Sequence, residues 1–466
     1  MDLLLTHGFF LSEDPKELRI QKPYVPLGIL YLTSYLRSKG FSVELHDTTF
    51  SSRKELFDLL RATPPSVLGV YANLMTRPAV VEILSMAKEA GWKTVVGGPE
   101  PAAYTAEYLT AGADVVVIGE GEHALEELLP ALRSGMPSEL ESVRGIAFLG
   151  RDGQVHRTPP RPQISDLDAQ PWPAREAANI EQYLQTWREH HGMGSVSMIT
   201  ARGCPYHCRW CSHAVYGKTH RRRDPVAVVD ELEWILGRYQ PDMIWMADDV
   251  FTIHHGWIFR YAEEMQRRRL QIPFECITRA DRLNSQVADA LAELNCFRVW
   301  IGSESGSQKV LDAMERGVTV EEVQKAVELC KSRGIDTGMF LMWGYEGEQL
   351  EDIVATVEHV KRSNPDVFLT TVAYPIKGTP YFEELAERTV NVTQWAAGSD
   401  RDFKVRGRHS RRFYQFADEL LRSEVELARM SHGNDAGASG PLIAEFQQRI
   451  AQAREGLNLT FSELEA

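Results

Sequence analysis

The sequence predicts an α/β protein with two successive parallel-sheet domains and a mostly helical C-terminal region. Three observations carry that prediction. Up to about residue 135, five short apolar runs alternate with amphipathic stretches of about ten residues. The same rhythm resumes at Val196 and continues for six more units. Beyond about residue 390 the pattern becomes charged with a helical period. A chain of 466 residues leaves room for several domains, and 43% hydrophobic with 25% charged residues is ordinary for a chain that buries full cores.

In the first domain the strands read at residues 2–6, 42–46, 67–71, 93–96 and 114–118, with helices at 27–39, 53–62, 78–90, 103–111 and 122–133. Apolar runs of five separated by helical patterns imply β-α units, and five of them imply a Rossmann-like, flavodoxin-like doubly wound sheet. Ligands of such sheets lie over the carboxyl ends of the strands. Those ends carry the loops 7–26, 72–77, 97–101 and 119–122. Gly97-Gly98-Pro99-Glu100-Pro101 and Gly119-Glu120-Gly121-Glu122 let backbone come close to a ligand. No G-x-G-x-x-G opens a helix after the first strand, so a dinucleotide site is not indicated.

Residues 136–195 read as a connector with a small hairpin at 145–150 and 154–157 and a proline-rich stretch at 166–173. The second set of strands reads at 197–200, 243–247, 274–277, 297–301, 336–341 and 367–371. Helices at 225–237, 256–268, 285–294, 308–315, 320–333 and 350–363 alternate with them. Six units predict a partial (β/α)6 barrel of TIM type, whose chemistry belongs at the carboxyl ends of its strands. Helices at 408–431 and 442–455, joined by a Gly/Ala/Ser/Asn linker at 433–440, follow. The expected division is 1–135, 136–195, 196–385 and 386–466.

The net charge of −14 argues against a nucleic-acid backbone as partner. The run His220-Arg221-Arg222-Arg223 reads as a loop cap or a contact to an anionic cofactor group. The first residues are too short for a secretory core, and no stretch approaches the ~20 apolar residues of a membrane helix. A cytoplasmic protein is expected, with its cysteines reduced. Cys276, Cys296 and Cys330 stand singly in apolar contexts and read as core.

The other three cysteines stand together in Ala201-Arg202-Gly203-Cys204-Pro205-Tyr206-His207-Cys208-Arg209-Trp210-Cys211, directly after the first strand of the second set. C-x3-C-x2-C on one loop can converge three thiolates on one metal centre. Three ligands leave one iron of a [4Fe–4S] cube open to a substrate or cosubstrate. A zinc site using Cys204, Cys208, Cys211 and His213 or His207 is the alternative, although no second ligand pair follows at the usual spacing.

This motif, with Trp210 before the last cysteine, resembles the signature of the radical SAM enzymes. The resemblance implies that Cys204, Cys208 and Cys211 ligate a [4Fe–4S] cluster and that S-adenosylmethionine (SAM) chelates the fourth iron. It implies SAM contacts from Asp248 and Asp249, Arg279, and Glu304 and Ser305, each placed after a barrel strand. The run Met339-Phe340-Leu341-Met342-Trp343-Gly344 resembles the fifth-strand segment that packs on adenine.

The first domain resembles the cobalamin-binding domain of the B12-dependent members. The resemblance rests on Val25-Pro26-Leu27-Gly28, Val96-Gly97-Gly98-Pro99-Glu100 and Ile118-Gly119-Glu120-Gly121. Pro26, Leu27, Asn73, Met75, Gly97, Gly98, Pro99, Glu100, Gly119, Glu120 and Gly121 are the implied cobalamin contacts. The D-x-H-x-x-G signature that supplies a lower histidine ligand is absent, which implies base-off cobalamin without a protein imidazole.

The implied activity is methylation of an unactivated carbon of a small molecule through a 5′-deoxyadenosyl radical and methylcobalamin. An electron donor such as ferredoxin or flavodoxin would serve it, and no membrane partner is implied. Non-methylating chemistry such as oxidative ring closure on a tetrapyrrole is one alternative, and a non-catalytic metal or redox module is another. Trp343 and Tyr374 are the candidates for the substrate side of the barrel.

Overall fold

The computed structural model describes residues 1–134, 136–432 and 440–466. They pack as two units. The first comprises Met1–Tyr206, Ser212–Asp248 and Thr393–Arg401; the second comprises His207–Cys211, Asp249–Val392 and Asp402–Ala466.

In the first unit β1 (Leu3–His7), β2 (Val43–His46), β3 (Val67–Tyr71), β4 (Lys93–Gly97) and β5 (Val115–Val117) run parallel in the order β2-β1-β3-β4-β5. This is the flavodoxin-like order. The strands are apolar throughout because each face meets a helical layer. Leu4, Leu68, Val96 and Val116 pack with Leu56, Leu60, Val80, Ile83 and Tyr108 from the helices Arg53–Ala62, Arg77–Glu89 and Thr105–Thr110. Leu3, Leu5, Val67, Val95 and Val115 pack with Ile29, Leu36, Leu125, Leu128 and Leu129 from Leu27–Ser38 and Glu122–Ser134. A capping box of Ser52 and Glu55 starts Arg53–Ala62.

Two features of this unit differ from the sequence reading. The hairpin of β6 (Ile146–Leu149) and β7 (Val155–Arg157) is not separate. β6 pairs antiparallel with β5 and extends the sheet to seven strands, carrying Ile146 and Phe148 into the same core. The stretch read as a connector contains the helix Ile180–His191, whose buried Ile180, Tyr183, Leu184 and Trp187 form an i, i+3, i+4, i+7 stripe.

The first unit also holds β8 (Ser195–Met198), β9 (Ala201–Arg202), β10 (Arg221–Arg222) and β11 (Met243–Met246). β8 and β11 pair in parallel, and β9 and β10 form an antiparallel ribbon. In the second unit β12 (Phe274–Thr278), β13 (Cys296–Glu304), β14 (Asp336–Trp343) and β15 (Val367–Val372) pair in parallel, each with the next. All six barrel strands read from the sequence are therefore present as strands, and β13 and β14 run further than expected, to Glu304 and Trp343.

The helices Ser285–Glu293, Val320–Lys331 and Leu350–Ser363 make the return crossings. Cys276, Cys296 and Cys330 are buried, as expected. The helices Arg411–His432 and Gly440–Thr460 pack together, and ion pairs Arg449–Glu419 and Arg454–Glu424 flank the contact. Apart from Gly440, the expected 433–440 linker lies outside the described residues. Among the described residues no helix is long and apolar enough to cross a membrane.

Candidate active site

The cysteine loop is pinned at its base. β9 and β10 clamp its two ends, with Arg202 opposite Arg221 and Ala201 opposite Arg222. Gly203 has φ +86°, and a Cβ there would collide with the Thr219 carbonyl, so the motif's glycine is a packing requirement. Cys204 and Cys208 are half-buried and Cys211 is exposed. The Cys211 N–H donates to the Cys208 carbonyl at 3.1 Å, closing a turn between the last two cysteines. Among the described residues no three His, Cys, Asp or Glu side chains gather tightly enough for a single metal ion. A cubane spreads its ligands more widely than one ion does, and a donor set of three thiols on one loop suits it.

The second unit surrounds Cys208 with positive charge. Arg279 Nη1 and Arg316 Nη1 each lie 3.9 Å from its Sγ. Arg279 is 3% exposed and held by Asp281 (2.8 Å) and the Arg316 carbonyl (2.9 Å). Arg316 donates to the Gly302 carbonyl (2.9 Å) and lies 3.7 Å from Glu304 Oε1. Glu304 ends β13 at φ +61°, where the register with β14 shifts. Burial raises its carboxyl pKa, and Arg316 and then Arg279 oppose the rise. The sequence points to Arg279 and Glu304 as candidates but not to Arg316, which lies beside both Cys208 and Glu304. Arg316 follows the helix Gln308–Ala313 rather than a strand end, so its position carries no strand-end signal.

The rest of the loop's backbone is also fixed. The Arg209 N–H donates to the Met314 carbonyl (3.1 Å), and the Tyr381 N–H donates to the Arg209 carbonyl (3.0 Å). Trp210 meets Tyr345 edge-on at 6.5 Å, and Tyr345 stacks on Tyr381 at 4.5 Å.

Several expected contact residues direct their side chains into the protein. Asp248, 1% exposed, accepts from the Thr200 and Ala201 N–H groups (2.6 and 3.0 Å) and from the Thr200 hydroxyl, with Arg222 at 3.5 Å. Its carboxylate shapes the turn before the cysteine loop. Asp249 is exposed. The buried Ser305 hydroxyl pairs with Thr356 Oγ1 (3.1 Å) and accepts the Ser307 N–H. The basic run does not face solvent. Arg221 pairs with Glu120, Arg222 meets Asp248, and Arg223 pairs with the fully buried Glu231, which also pairs with Arg175.

Trp343 is 1% exposed and shares the strand parity of the buried Met339 and Leu341, opposite to the half-buried Phe340 and Met342. Tyr374 is half-buried just beyond β15.

In the first unit the expected corrin loops lie at the carboxyl ends of β3, β4 and β5. Gly97 and Gly119 sit in open cradles, since a Cβ would meet only Val117 at 3.7 Å and the Val215 carbonyl at 3.8 Å, respectively. Gly98 has φ +114°, and a Cβ there would strike the Ala72 carbonyl. Pro99 and Gly121 are half-buried. Asn73 Oδ1 accepts the Met75 and Thr76 N–H groups (2.9 and 3.1 Å), and Met75 is 49% exposed. Pro26 caps the helix that Leu27 opens, and Leu27 is buried.

Glu100 and Glu120 are engaged inside the protein. Glu100 pairs with Arg77 and Tyr108. Glu120 pairs with Arg202 (2.7 Å) and Arg221 (2.7 Å) and accepts the Ile164 N–H (2.8 Å). A ligand at these two positions would meet backbone, not carboxylate.

Comparison with known proteins fits this layout. The radical SAM superfamily matches residues 198–360 and the B12 binding domain matches residues 18–129. An uncharacterized methyltransferase of Pyrococcus horikoshii is 29% identical over 77% of this chain and 78% of its own length. An anaerobic magnesium-protoporphyrin IX monomethyl ester cyclase of Rubrivivax gelatinosus is 26% identical, over 78% of this chain and 66% of the relative. The structure of the radical SAM methyltransferase TsrM from Kitasatospora setae, with cobalamin and a [4Fe–4S] cluster bound, superimposes with a TM-score of 0.71. It covers 97% of this chain and 99% of that one at 19% identity, a likeness of fold.

The chain joins a B12-binding domain to a radical SAM domain and belongs to the cobalamin-dependent radical SAM enzymes. The cofactors of that class are a [4Fe–4S] cluster, SAM and cobalamin.

Proposed function

We propose that this enzyme methylates an unactivated carbon of a small molecule. The observation that carries the reading is the tandem of a B12-binding and a radical SAM domain in a chain similar, over most of both lengths, to a protein named as a methyltransferase. In this reading Cys204, Cys208 and Cys211 hold the cluster. When bound, the three cofactors supply a 5′-deoxyadenosyl radical and a transferable methyl group.

The chain's own groups do the positioning. Arg279 and Arg316 offset the negative charge that a cluster brings to Cys208. Glu304, next to both arginines, is the polar group at the end of β13 that suits ribose hydroxyls or the SAM ammonium. The backbone of Gly97, Gly98, Pro99, Gly119 and Gly121 and the Asn73–Met75 turn form the corrin side.

Cobalamin without a protein imidazole ligand is supported by the state of His7, the imidazole at the end of β1. Its Nδ1 accepts the Phe9 N–H (3.1 Å), and its Nε2 lies 2.9 Å from Asp47 Oδ1, leaving neither nitrogen for cobalt. A ferredoxin or flavodoxin in the cytoplasm suits the electron requirement.

The test is anaerobic reconstitution with SAM, a reductant and hydroxocobalamin. Retained cobalamin and formation of both S-adenosylhomocysteine and 5′-deoxyadenosine are expected. Failure to retain cobalamin would sink methyl transfer. A second reading, oxidative ring closure, draws on the similarity to the magnesium-protoporphyrin cyclase. Deoxyadenosine without S-adenosylhomocysteine would favour it.

A further inference from the structure

One guanidinium ties three distant segments of the first unit together. Arg77 opens the helix after the β3 loop and is 1% exposed. Its Nε donates to Glu100 Oε1 (2.7 Å), on the loop after β4. Its Nη2 donates to Asp400 Oδ1 (2.6 Å), and its Nη1 reaches the Gly398 carbonyl (3.2 Å) and the Trp395 carbonyl (3.4 Å). The Arg77 guanidinium also lies over the Tyr104 ring at 4.5 Å and the Trp395 ring at 5.4 Å.

Asp400 and Trp395 belong to Thr393–Arg401, a segment that packs with the first unit although its flanks belong to the second. The two carboxylates facing Arg77 are each completed by a phenol. The Tyr104 hydroxyl donates to Asp400 (2.6 Å) and the Tyr108 hydroxyl to Glu100. Such a network is stable only when every member is present, because a buried polar group left alone is costly. The segment also reaches the tip of the β3 loop, where Arg401 Nη1 lies 3.2 Å from Met75 Sδ. Asn73 Oδ1 holds the Met75 and Thr76 amides, so the turn is rigidly continuous with Arg77.

We propose that Thr393–Arg401 is a strap that sets the spacing of the β3 and β4 loops for cobalamin, with Arg77 as its anchor and Asp400 as a positioning residue. The inference rests on the reading that these loops hold the corrin. None of the three ion-pairing side chains needs to touch the ligand. With the anchor intact the two loops are held before cobalamin arrives; without it, their ordering falls on the binding step and weakens it.

The test is titration of the reconstituted protein with hydroxocobalamin, followed by visible absorbance, for wild type, Asp400→Asn and Arg401→Ala. Iron content and melting temperature are measured alongside. Asp400→Asn is expected to weaken binding roughly tenfold, as loss of an outer partner does at metal sites, with iron content unchanged. Arg401→Ala is expected to weaken it less.

A role in stability alone would lower the melting temperature and leave the affinity of the folded variant within about twofold of wild type, which would overturn the proposal. If Asp400→Asn does not fold, hydrogen exchange on the wild type decides. Hydroxocobalamin is expected to slow exchange in Thr393–Arg401 as well as in residues 73–77, and unchanged strap exchange would refute it. A wild type that does not bind hydroxocobalamin refutes the cobalamin reading itself, and the strap with it.

Discussion

Glu348 gives the second unit a pH dependence that one substitution should remove. The residue follows β14 and is 7% exposed. Its Oε2 accepts the Gly344 N–H at 2.5 Å, and its Oε1 has no hydrogen-bond partner among the described residues. Burial, aided by the nearby Asp352 charge, raises its carboxyl to about 8, against the Gly344 hydrogen bond and Lys309. The folded chain therefore holds a proton that the unfolded chain releases near pH 4.5. Where the folded state binds more protons, stability falls as pH rises, so it should decline from about pH 4.5 to about pH 8 and then level off.

At ~1.4 kcal/mol per pH unit, that window sets a ceiling of about 5 kcal/mol, and relaxation around the ionised carboxylate brings the expected effect to about 2 kcal/mol. Glu348→Gln keeps the shape and the bond from Gly344 but cannot ionise. Thermal unfolding of the apo-protein at about pH 5 and about pH 9 reads the difference. The variant should match wild type at the lower pH and melt several degrees higher at the upper one. Parallel curves for the two proteins would refute the argument, because they would mean that Glu348 ionises equally easily in both states.

Three further outcomes follow from the same geometry. Glu231→Gln removes the charge shared by buried Arg175 and Arg223 and should lower stability by about 3–5 kcal/mol in denaturant unfolding. Cys208→Ala should abolish the brown colour and most of the iron of the reconstituted protein while leaving hydroxocobalamin absorbance in place. Arg316→Met withdraws one of the two guanidinium groups beside Cys208, so reductive titration by electron paramagnetic resonance should give a more negative cluster potential, with iron content maintained.

Most of the fold was legible because its signals are local. β3 and the helices Arg53–Ala62 and Leu350–Ser363 begin and end where the periodicity placed them. The helix Ile180–His191 was legible in principle from its apolar stripe, yet the neighbouring prolines obscured it. The site divides in the same way. The cysteines and Arg279 announce themselves by motif and by their place after a strand. Arg316 does not, since what brings it to Cys208 is the path of the chain after the helix Gln308–Ala313. Nor could a sequence say that the carboxylates of Asp248, Glu100 and Glu120 turn inward, because their partners Thr200, Arg77 and Arg202 are chosen by packing.

By itself the sequence determined the order of β-α units, the parallel sheets they must build, and the class of chemistry. Residue periodicity dictates which face is buried, and three thiols at fixed spacing dictate what one loop can hold. Only the tertiary structure decided which charges meet. Arg77 and Asp400 stand 323 positions apart and Arg316 stands 108 from Cys208. No local pattern links them, and the buried side of each pair is set by how the layers close over it.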